Sequence, residues 1–335
     1  MKIFVSMTKN AMATGTFFDE KARRYIEEKH EVSYYPFEER KSIKEIIEMA
    51  KDSDVIITGW GHPLITYDDI KDTNIKIIAH TGGTVANVAD ISLWENGIKV
   101  LSANNLFSES VAEGTIGYML MGLRHTYKHI NAVKNGLWWT ETPPLLNGLL
   151  EKTVGIIGLG GIARSLIKML KVFRVNIKIY AEYEVDKEYL RENNAEQVSL
   201  EEVFSGCDVV SVHCAMNEET EGLIGKEHFD LLCDGALFVN TARGGIIRED
   251  EMIEALKENR FYAVLDVFTK EPLDIESELR TLPNVYPVPH LGGPTIDRHS
   301  GITKALADDI ERFEKGEEME LEIKADAAKR MTKGA

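Results

Sequence analysis

Short apolar runs alternate with amphipathic stretches through most of the chain. In the first hundred residues, Lys2–Val5, Val32–Tyr35, Val55–Thr58, Ile75–Ala79 and Ile98–Ser102 read as strands, with helical stretches such as Phe18–Lys29 and Ser42–Lys51 between several of them. One long helix is predicted from about Glu109 to Lys134, capped by Ser108 or Ser110 and broken by the loop from Asn135-Gly136 to Pro143-Pro144. A second series follows, with strands near Thr153–Ile157, Ile177–Tyr180, Val209–Val212, Ala236–Asn240, Ala263–Val267 and Val285–Val288. A last long helix covers about Thr295 to Glu314, and the tail from Gly316 to Ala335 is charged with few apolar residues. Strands that alternate with helices predict an α/β protein with parallel sheets, and two series predict two sheets, one per domain.

Length agrees with that division. At roughly 100–200 residues per domain, a chain of 335 residues makes two. With 44% hydrophobic and 28% charged residues, it can bury a large core without disulfides or metals. The balance of 39 basic against 55 acidic residues, a formal charge of -16, disfavours nucleic acid and anionic membrane as partners. A small anionic substrate would need a local positive site. Cys207, Cys214 and Cys233 form no CxxC pair or metal-ligand cluster, so packing is their expected role and no metal is expected. The N-terminus lacks the long apolar stretch of a signal peptide, and no run reaches the ~18 residues of a membrane span. A soluble cytoplasmic protein is the expectation.

Candidate chemistry centres first on a turn. The apolar strand Thr153–Ile157 runs into Gly158-Leu159-Gly160-Gly161-Ile162-Ala163, which fits G-x-G-x-x-G/A. The first glycine permits a tight turn, the second lets backbone approach a pyrophosphate, and the small third residue lets helix pack on strand. Ile162, Leu166, Met169, Leu170 and Phe173 stripe the helix that follows, whose N-terminus offers N–H groups and a positive dipole end to phosphates. The strand Ile177–Tyr180 arrives on schedule. An acid usually completes this fingerprint by binding the ribose. Ala181 stands at the strand end and Glu182 follows, with no adjacent arginine to welcome a 2′-phosphate. NAD is favoured over NADP, which is not excluded.

Ligands of open parallel sheets bind beyond the carboxyl ends of the strands. There the second series carries His213-Cys214, then Thr241-Ala242-Arg243, then Asp266 and Glu271, then His290-Leu291-Gly292. In the first domain Ile75–Ala79 leads to His80-Thr81-Gly82-Gly83-Thr84, a glycine-rich loop whose N–H groups suit an anion. Trp60 and His62 follow another first-domain strand, and with His80 and Thr84 they are pocket candidates. Taken singly, Arg243 also reads as a surface ion-pair partner, Glu271 as a loop acid, and His290 as a structural histidine. His213 divides between cofactor contact and packing, and His30, His125, His129, His228 and His299 read as solvated or structural.

Together these segments resemble the D-isomer-specific 2-hydroxyacid dehydrogenases, the family of glyoxylate and hydroxypyruvate reductases, D-lactate dehydrogenase and phosphoglycerate dehydrogenase. VAEGTIGYML (111–120), KTVGIIGLGGIARSL (152–166), DVVSVHCAMNEETEGLIG (208–225), ALFVNTARGGIIREDEM (236–252), AVLDVFTKEPL (263–273) and VPHLGGPT (288–295) carry the resemblance across nearly the whole chain. It implies a Rossmann dinucleotide-binding domain, 104–290, inserted into a doubly wound, flavodoxin-like substrate domain of 1–103 plus 291–335, with a cleft between them. It further implies a homodimer, while the chain is expected to leave no room for the extra C-terminal regulatory domain that some phosphoglycerate dehydrogenases carry.

The resemblance also implies roles. Arg243 of NTARG binds the substrate carboxylate, His290 of PHLGG is the acid/base, and Glu271, five residues after Asp266, supports it. Asp266 meets the nicotinamide carboxamide. Gly158, Gly160, Gly161, Ile162, Glu182, His213, Cys214, Thr241, Ala242 and Gly292 complete the cofactor site, and Gly82, Gly83 and Thr84 join Arg243 on the substrate. The implied reaction moves a hydride between NAD(H) and C2 of a small D-2-hydroxy acid or 2-keto acid. The chain departs from the family's pattern at Ala181, at Ala215 in place of the proline of H-x-P, and at Gly82–Asn87, which lacks the usual aspartate. The rival reading is a non-catalytic NAD(H)-binding regulator, of the corepressor kind, on the same fold.

Overall fold

The computed structural model describes residues 1–138 and 146–331. Twelve strands lie among them: β1 (Lys2–Val5), β2 (Glu31–Tyr34), β3 (Val55–Thr58), β4 (Ile77–His80), β5 (Lys99–Ser102), β6 (Thr153–Ile157), β7 (Asn176–Tyr180), β8 (Ala195–Gln197), β9 (Val209–Val212), β10 (Leu237–Asn240), β11 (Tyr262–Leu265) and β12 (Val285–Pro287). They form a five-stranded sheet, β2-β1-β3-β4-β5, and a seven-stranded sheet, β12-β11-β10-β9-β6-β7-β8, parallel throughout. The first has the flavodoxin-like order. The second has the dinucleotide-binding order extended by one strand, and its order reverses between β6 and β9. The chain forms two compact units, Met1–Phe107 with Pro294–Ala335, and Ser108–Gly293.

The strands are continuous apolar runs because both sheet faces are covered. Along β1, Ile3 and Val5 point to a core shared with Leu306 and Ile310 of the helix Ile296–Lys315. Phe4 points the other way, to Ile46 and Ile47 of the helix Ile43–Ala50. Ser42 starts that helix with a full capping box to Glu45. In the second unit Val154 and Ile156 face Ala163, Leu166 and Leu170 of the helix Gly161–Leu170, while Val210 and Phe238 face Phe204 and Phe229.

Four details differ from the sequence reading. The helix expected over Glu109–Lys134 is two, Asn104–Leu123 and Thr126–Lys134. His125 between them is left-handed (φ 47°, ψ 37°), its ring 3.1 Å from the Tyr286 hydroxyl and 4.1 Å from the Tyr262 ring, while the Leu123 carbonyl accepts from Asn147 N–H. Contacts distant in sequence thus override a periodicity that runs through. The first of these helices also starts a turn early, on the Ala103 carbonyl, so Ser108 and Ser110 are buried within it and cap nothing. Strand β8 and the short helix Met12–Phe17 had no apolar run or period long enough to announce them.

The charged tail is ordered as far as it is described. Asp309, fully buried, accepts from Glu320 and Leu321 N–H at 3.0 and 2.7 Å. Glu322 bridges Leu101 antiparallel, and Ile323 N–H donates to the Val100 carbonyl. The edge of β5 is thereby covered, as exposed edges commonly are. Pro143-Pro144, at the end of the expected loop, lie outside the described residues.

Candidate active site

The glycine turn sits where β6 meets its helix. Gly158 is at φ +89°, and a Cβ there would lie 2.6 Å from the Cys214 backbone, so conformation and space both demand glycine. A Cβ on Gly160, the helix N-cap, would meet only open space. Ala163 is fully buried against the sheet. The turn therefore offers backbone and helix N-terminus, without side chains, at the point where the strand order reverses. This suits a pyrophosphate. Glu182 is exposed after β7.

His213 and Cys214 follow β9 beside this turn. His213 N–H donates to the Ile157 carbonyl at 2.8 Å, and its Nε2 shares a 2.8 Å bond with Ser211 Oγ. Burial alone drives this imidazole down to about 3, so it is neutral, and its buried Nδ1 has no hydrogen-bond partner. Burial pushes the Cys214 thiol up to about 12, which leaves it unreactive at neutral pH.

Arg243 follows β10 and is set by its own loop. Asn240, buried at the strand end, donates to the Arg243 carbonyl at 3.0 Å and accepts from Ala242 N–H at 3.0 Å. Arg243 Nη1 donates to the Ala242 carbonyl at 2.6 Å, while its buried Nε has no hydrogen-bond partner. Burial lowers this guanidinium's pKa, and the Glu271 charge opposes that. Gly244 is forced by crowding, since a Cβ there would sit 1.9 Å from Phe268 backbone.

Glu271 stands between the two other candidates. One carboxylate oxygen accepts from Phe268 N–H at 3.0 Å, and the other lies 2.6 Å from His290 Nδ1. His290 has φ +51° and a side chain 45% exposed, so its ring is open to an incoming molecule. Asp266, 1% exposed after β11, fixes the chain just beyond it. Its carboxylate accepts from Leu291 N–H at 2.7 Å, Gly292 N–H at 2.8 Å and Tyr118 Oη at 3.1 Å. A Cβ on Gly292 would reach within 2.6 Å of that carboxylate. Burial raises the Asp266 pKa, against the pull of these donors.

In the first unit, Ser102 Oγ donates to the carbonyls of Gly82 and Gly83 at 2.8 and 3.0 Å. His80 ends β4, with Nδ1 2.8 Å from Thr58 Oγ1, and a Cβ on Gly82 would meet its Nε2 at 2.3 Å. Burial drives His80 to about 3 and His62 to about 4, so neither is cationic at neutral pH. Thr84 Oγ1 accepts from Ala86 N–H at 3.4 Å. Trp60 is half-exposed beside the loop, its ring against Phe17, His299 and Phe107.

Tyr118 and Asn240 escaped the sequence reading. Asn240 ends a strand and opens the NTARG segment with no role of its own in the sequence, and Tyr118 lies 148 residues from its partner. Among the described residues no three His, Cys, Asp or Glu side chains converge as a metal site, and no helix is long and apolar enough to cross a membrane.

A doubly wound sheet with a bare glycine turn at its reversal, beside an arginine and a carboxylate–imidazole pair, defines a dinucleotide-dependent oxidoreductase. Known proteins narrow the class. Residues 116–292 match the family model "D-isomer specific 2-hydroxyacid dehydrogenase, NAD binding domain". A putative 2-hydroxyacid dehydrogenase of Bacillus subtilis, YoaD, is 33% identical over 310 residues, 88% of each chain. D-3-phosphoglycerate dehydrogenase of Methanocaldococcus jannaschii is 35% identical over 82% of this chain, which spans only 52% of that protein. Among solved structures, D-2-hydroxyisocaproate dehydrogenase superposes with a TM-score of 0.80 at 23% identity, over 96% of this chain and 99% of that one. The chain belongs to the D-isomer-specific 2-hydroxyacid dehydrogenases, and its cofactor is NAD(H).

Proposed function

We propose that this enzyme interconverts a 2-keto acid and a D-2-hydroxy acid, with His290 as acid/base and Arg243 as carboxylate anchor. The 2.6 Å contact between Glu271 and His290 Nδ1 carries the reading. It fixes the ring and leaves Nε2 as the nitrogen that passes a proton to or from the substrate's C2 oxygen. Arg243 suits a carboxylate because its planar fork matches two oxygens. Gly82, Gly83 and Thr84 are assigned to substrate binding by the first unit. Bound NAD(H) supplies or accepts the hydride at C2. Gly158, Gly160, Gly161 and Ile162 would hold the pyrophosphate and Glu182 the ribose, which favours NAD over NADP. His213, Cys214, Thr241, Ala242, Asp266 and Gly292 would line the rest of the cofactor.

The side chain of the keto acid is assigned to the ring of Trp60. This half-exposed indole is backed by Phe17 and Phe107, with the neutral His80 against the adjoining loop. Such a surface favours an apolar side chain over one ending in phosphate. We also assign the molecule to a homodimer through the face of Thr126–Lys134 and the residues just after it, where Tyr127, Ile130 and Val133, then Leu137 and Trp138, are exposed.

The test is NADH and NADPH oxidation over glyoxylate, hydroxypyruvate, pyruvate, branched and aromatic keto acids, and phosphohydroxypyruvate, with His290→Ala alongside. Turnover with NADH and an apolar keto acid, reduced roughly 10²-fold or more in the variant, is expected. Near-normal turnover in His290→Ala would remove it from the acid/base role. NADH binding without turnover on any acid would favour the non-catalytic regulator.

A further inference from the structure

We infer that Tyr118 is a positioning residue for the imidazole of His290, acting through Asp266; this rests on the acid/base reading of His290. The imidazole's aim depends on backbone held in an uncommon conformation, since His290 sits at φ +51°. The two peptide N–H groups that follow, of Leu291 and Gly292, both end on the Asp266 carboxylate. Asp266 is thus the clamp on the turn that presents the ring to Glu271. Tyr118 supplies the third hydrogen bond to that clamp, on the same oxygen that takes Leu291 N–H.

The helix Asn104–Leu123 meets the turn at a second point. A Cβ on Gly114 would come within 3.8 Å of the Gly292 backbone. Gly114 and Tyr118 are four residues apart, hence on one helix face. One face of the helix thus approaches the chain beyond His290 at Gly114 and holds Asp266 at Tyr118. The next helix position makes a related contact, Thr115 Oγ1 lying 3.3 Å from Thr241 Oγ1 at the end of β10.

The hydroxyl is a dependable donor. Burial, and then the Asp266 charge, raise its pKa well above the ordinary tyrosine value. The side chains whose charge or titration bears on Asp266 are Tyr118, from the helix, and His290, from the turn. Without the hydroxyl, the buried Asp266 carboxylate loses a side-chain donor that helps fix its orientation. A carboxylate freed to rotate holds the Leu291 and Gly292 N–H groups less firmly, since Tyr118 Oη and Leu291 N–H share one of its oxygens. The ring itself packs against the second unit's core, so Tyr118→Phe keeps the packing and removes only the bond.

The experiment combines Tyr118→Phe with His290→Ala and their double variant, in the full chain. With NADH and the keto acid that turns over fastest, Tyr118→Phe should lower kcat about 10-fold through misplacement of the ring. Its KM for the keto acid should stay within about twofold, since Arg243, the carboxylate anchor, is held by Asn240 and not by Asp266. In the His290→Ala background the same change should cost less than about twofold, because residues that act as a unit are not additive. Equal losses in both backgrounds, or none in the parent, would overturn the inference.

A second readout needs no turnover. In protein labelled with 13C-histidine, the ring Cε1–H resonance of His290 is assigned by its loss in His290→Ala. It should be displaced in Tyr118→Phe, and an unmoved resonance would sink the idea. A displaced resonance in a protein that reduces no keto acid would uphold the inference and defeat only the acid/base reading.

Discussion

Two residues of the site hold conformations or charges that their surroundings must stabilise. A left-handed non-glycine residue costs roughly 1–2 kcal/mol, and His290 is one. The hydrogen bonds from Leu291 and Gly292 to the Asp266 carboxylate, each worth about 1.5–3 kcal/mol because the acceptor is charged, more than offset it. Arg243 is held by Asn240 through its backbone and by the Ala242 carbonyl through its Nη1. Its orientation is therefore set before a substrate arrives. Arg243→Lys should raise the KM for the keto acid by about 10- to 100-fold, because a point charge cannot reproduce the fork, with a smaller effect on the KM for NADH. An unchanged KM would place the carboxylate elsewhere. Arg243, Glu271 and His290 were legible as strand-end residues, and the resemblance supplied their roles. The Asp266 clamp was not, because its donors are main-chain N–H groups 25 and 26 residues onward, which no side-chain motif records.

At the scale of elements, the buried strands were read almost residue for residue, since a parallel strand covered on both faces leaves an unbroken apolar run. What escaped was set by distant partners. Strand β8 (Ala195-Glu196-Gln197) is polar and lies on the sheet edge beside β7. The break at His125 follows from Tyr286 and Tyr262, more than 130 residues away. The helix after that break carries the exposed apolar face assigned to a second subunit. It is amphipathic in the unusual sense that Tyr127, Ile130 and Val133, at spacings of three, are 59%, 48% and 52% exposed. Apolar rings and branched chains gathered in this way seldom stay in water. Ile130→Glu with Val133→Lys should shift the mass measured by light scattering from dimer to monomer while each unit stays folded by circular dichroism. A wild-type protein that sediments as a monomer at micromolar concentration would end that assignment.

For the molecule as a whole, buried neutral histidines set the response to acid. Burial lowers His62 to about 4 and His80 and His213 to about 3. Above pH ~6.5, the unperturbed histidine value, neither the folded nor the unfolded chain protonates these rings, and they cost nothing. As pH falls below that value the unfolded chain binds protons that the folded chain refuses. Stability is then lost at about 1.4 kcal/mol per pH unit for each ring until its folded pKa is reached. Two pH units across three rings amount to roughly 8 kcal/mol, comparable with the 5–15 kcal/mol of a typical folded protein. A countervailing effect exists, since the formal charge of -16 shrinks as carboxylates protonate and self-repulsion eases. That relief is diffuse and screened by salt, whereas desolvation of a buried ring is not. The melting temperature should therefore be level from pH 8 to 7 and fall steeply from 6.5 to 4.5, in 0.5 M salt as in 0.05 M. His213→Asn should flatten that slope, whatever it does to the melting temperature at pH 7.5. A melting temperature that holds steady down to pH 5 would mean that these rings are charged or solvated in the folded protein.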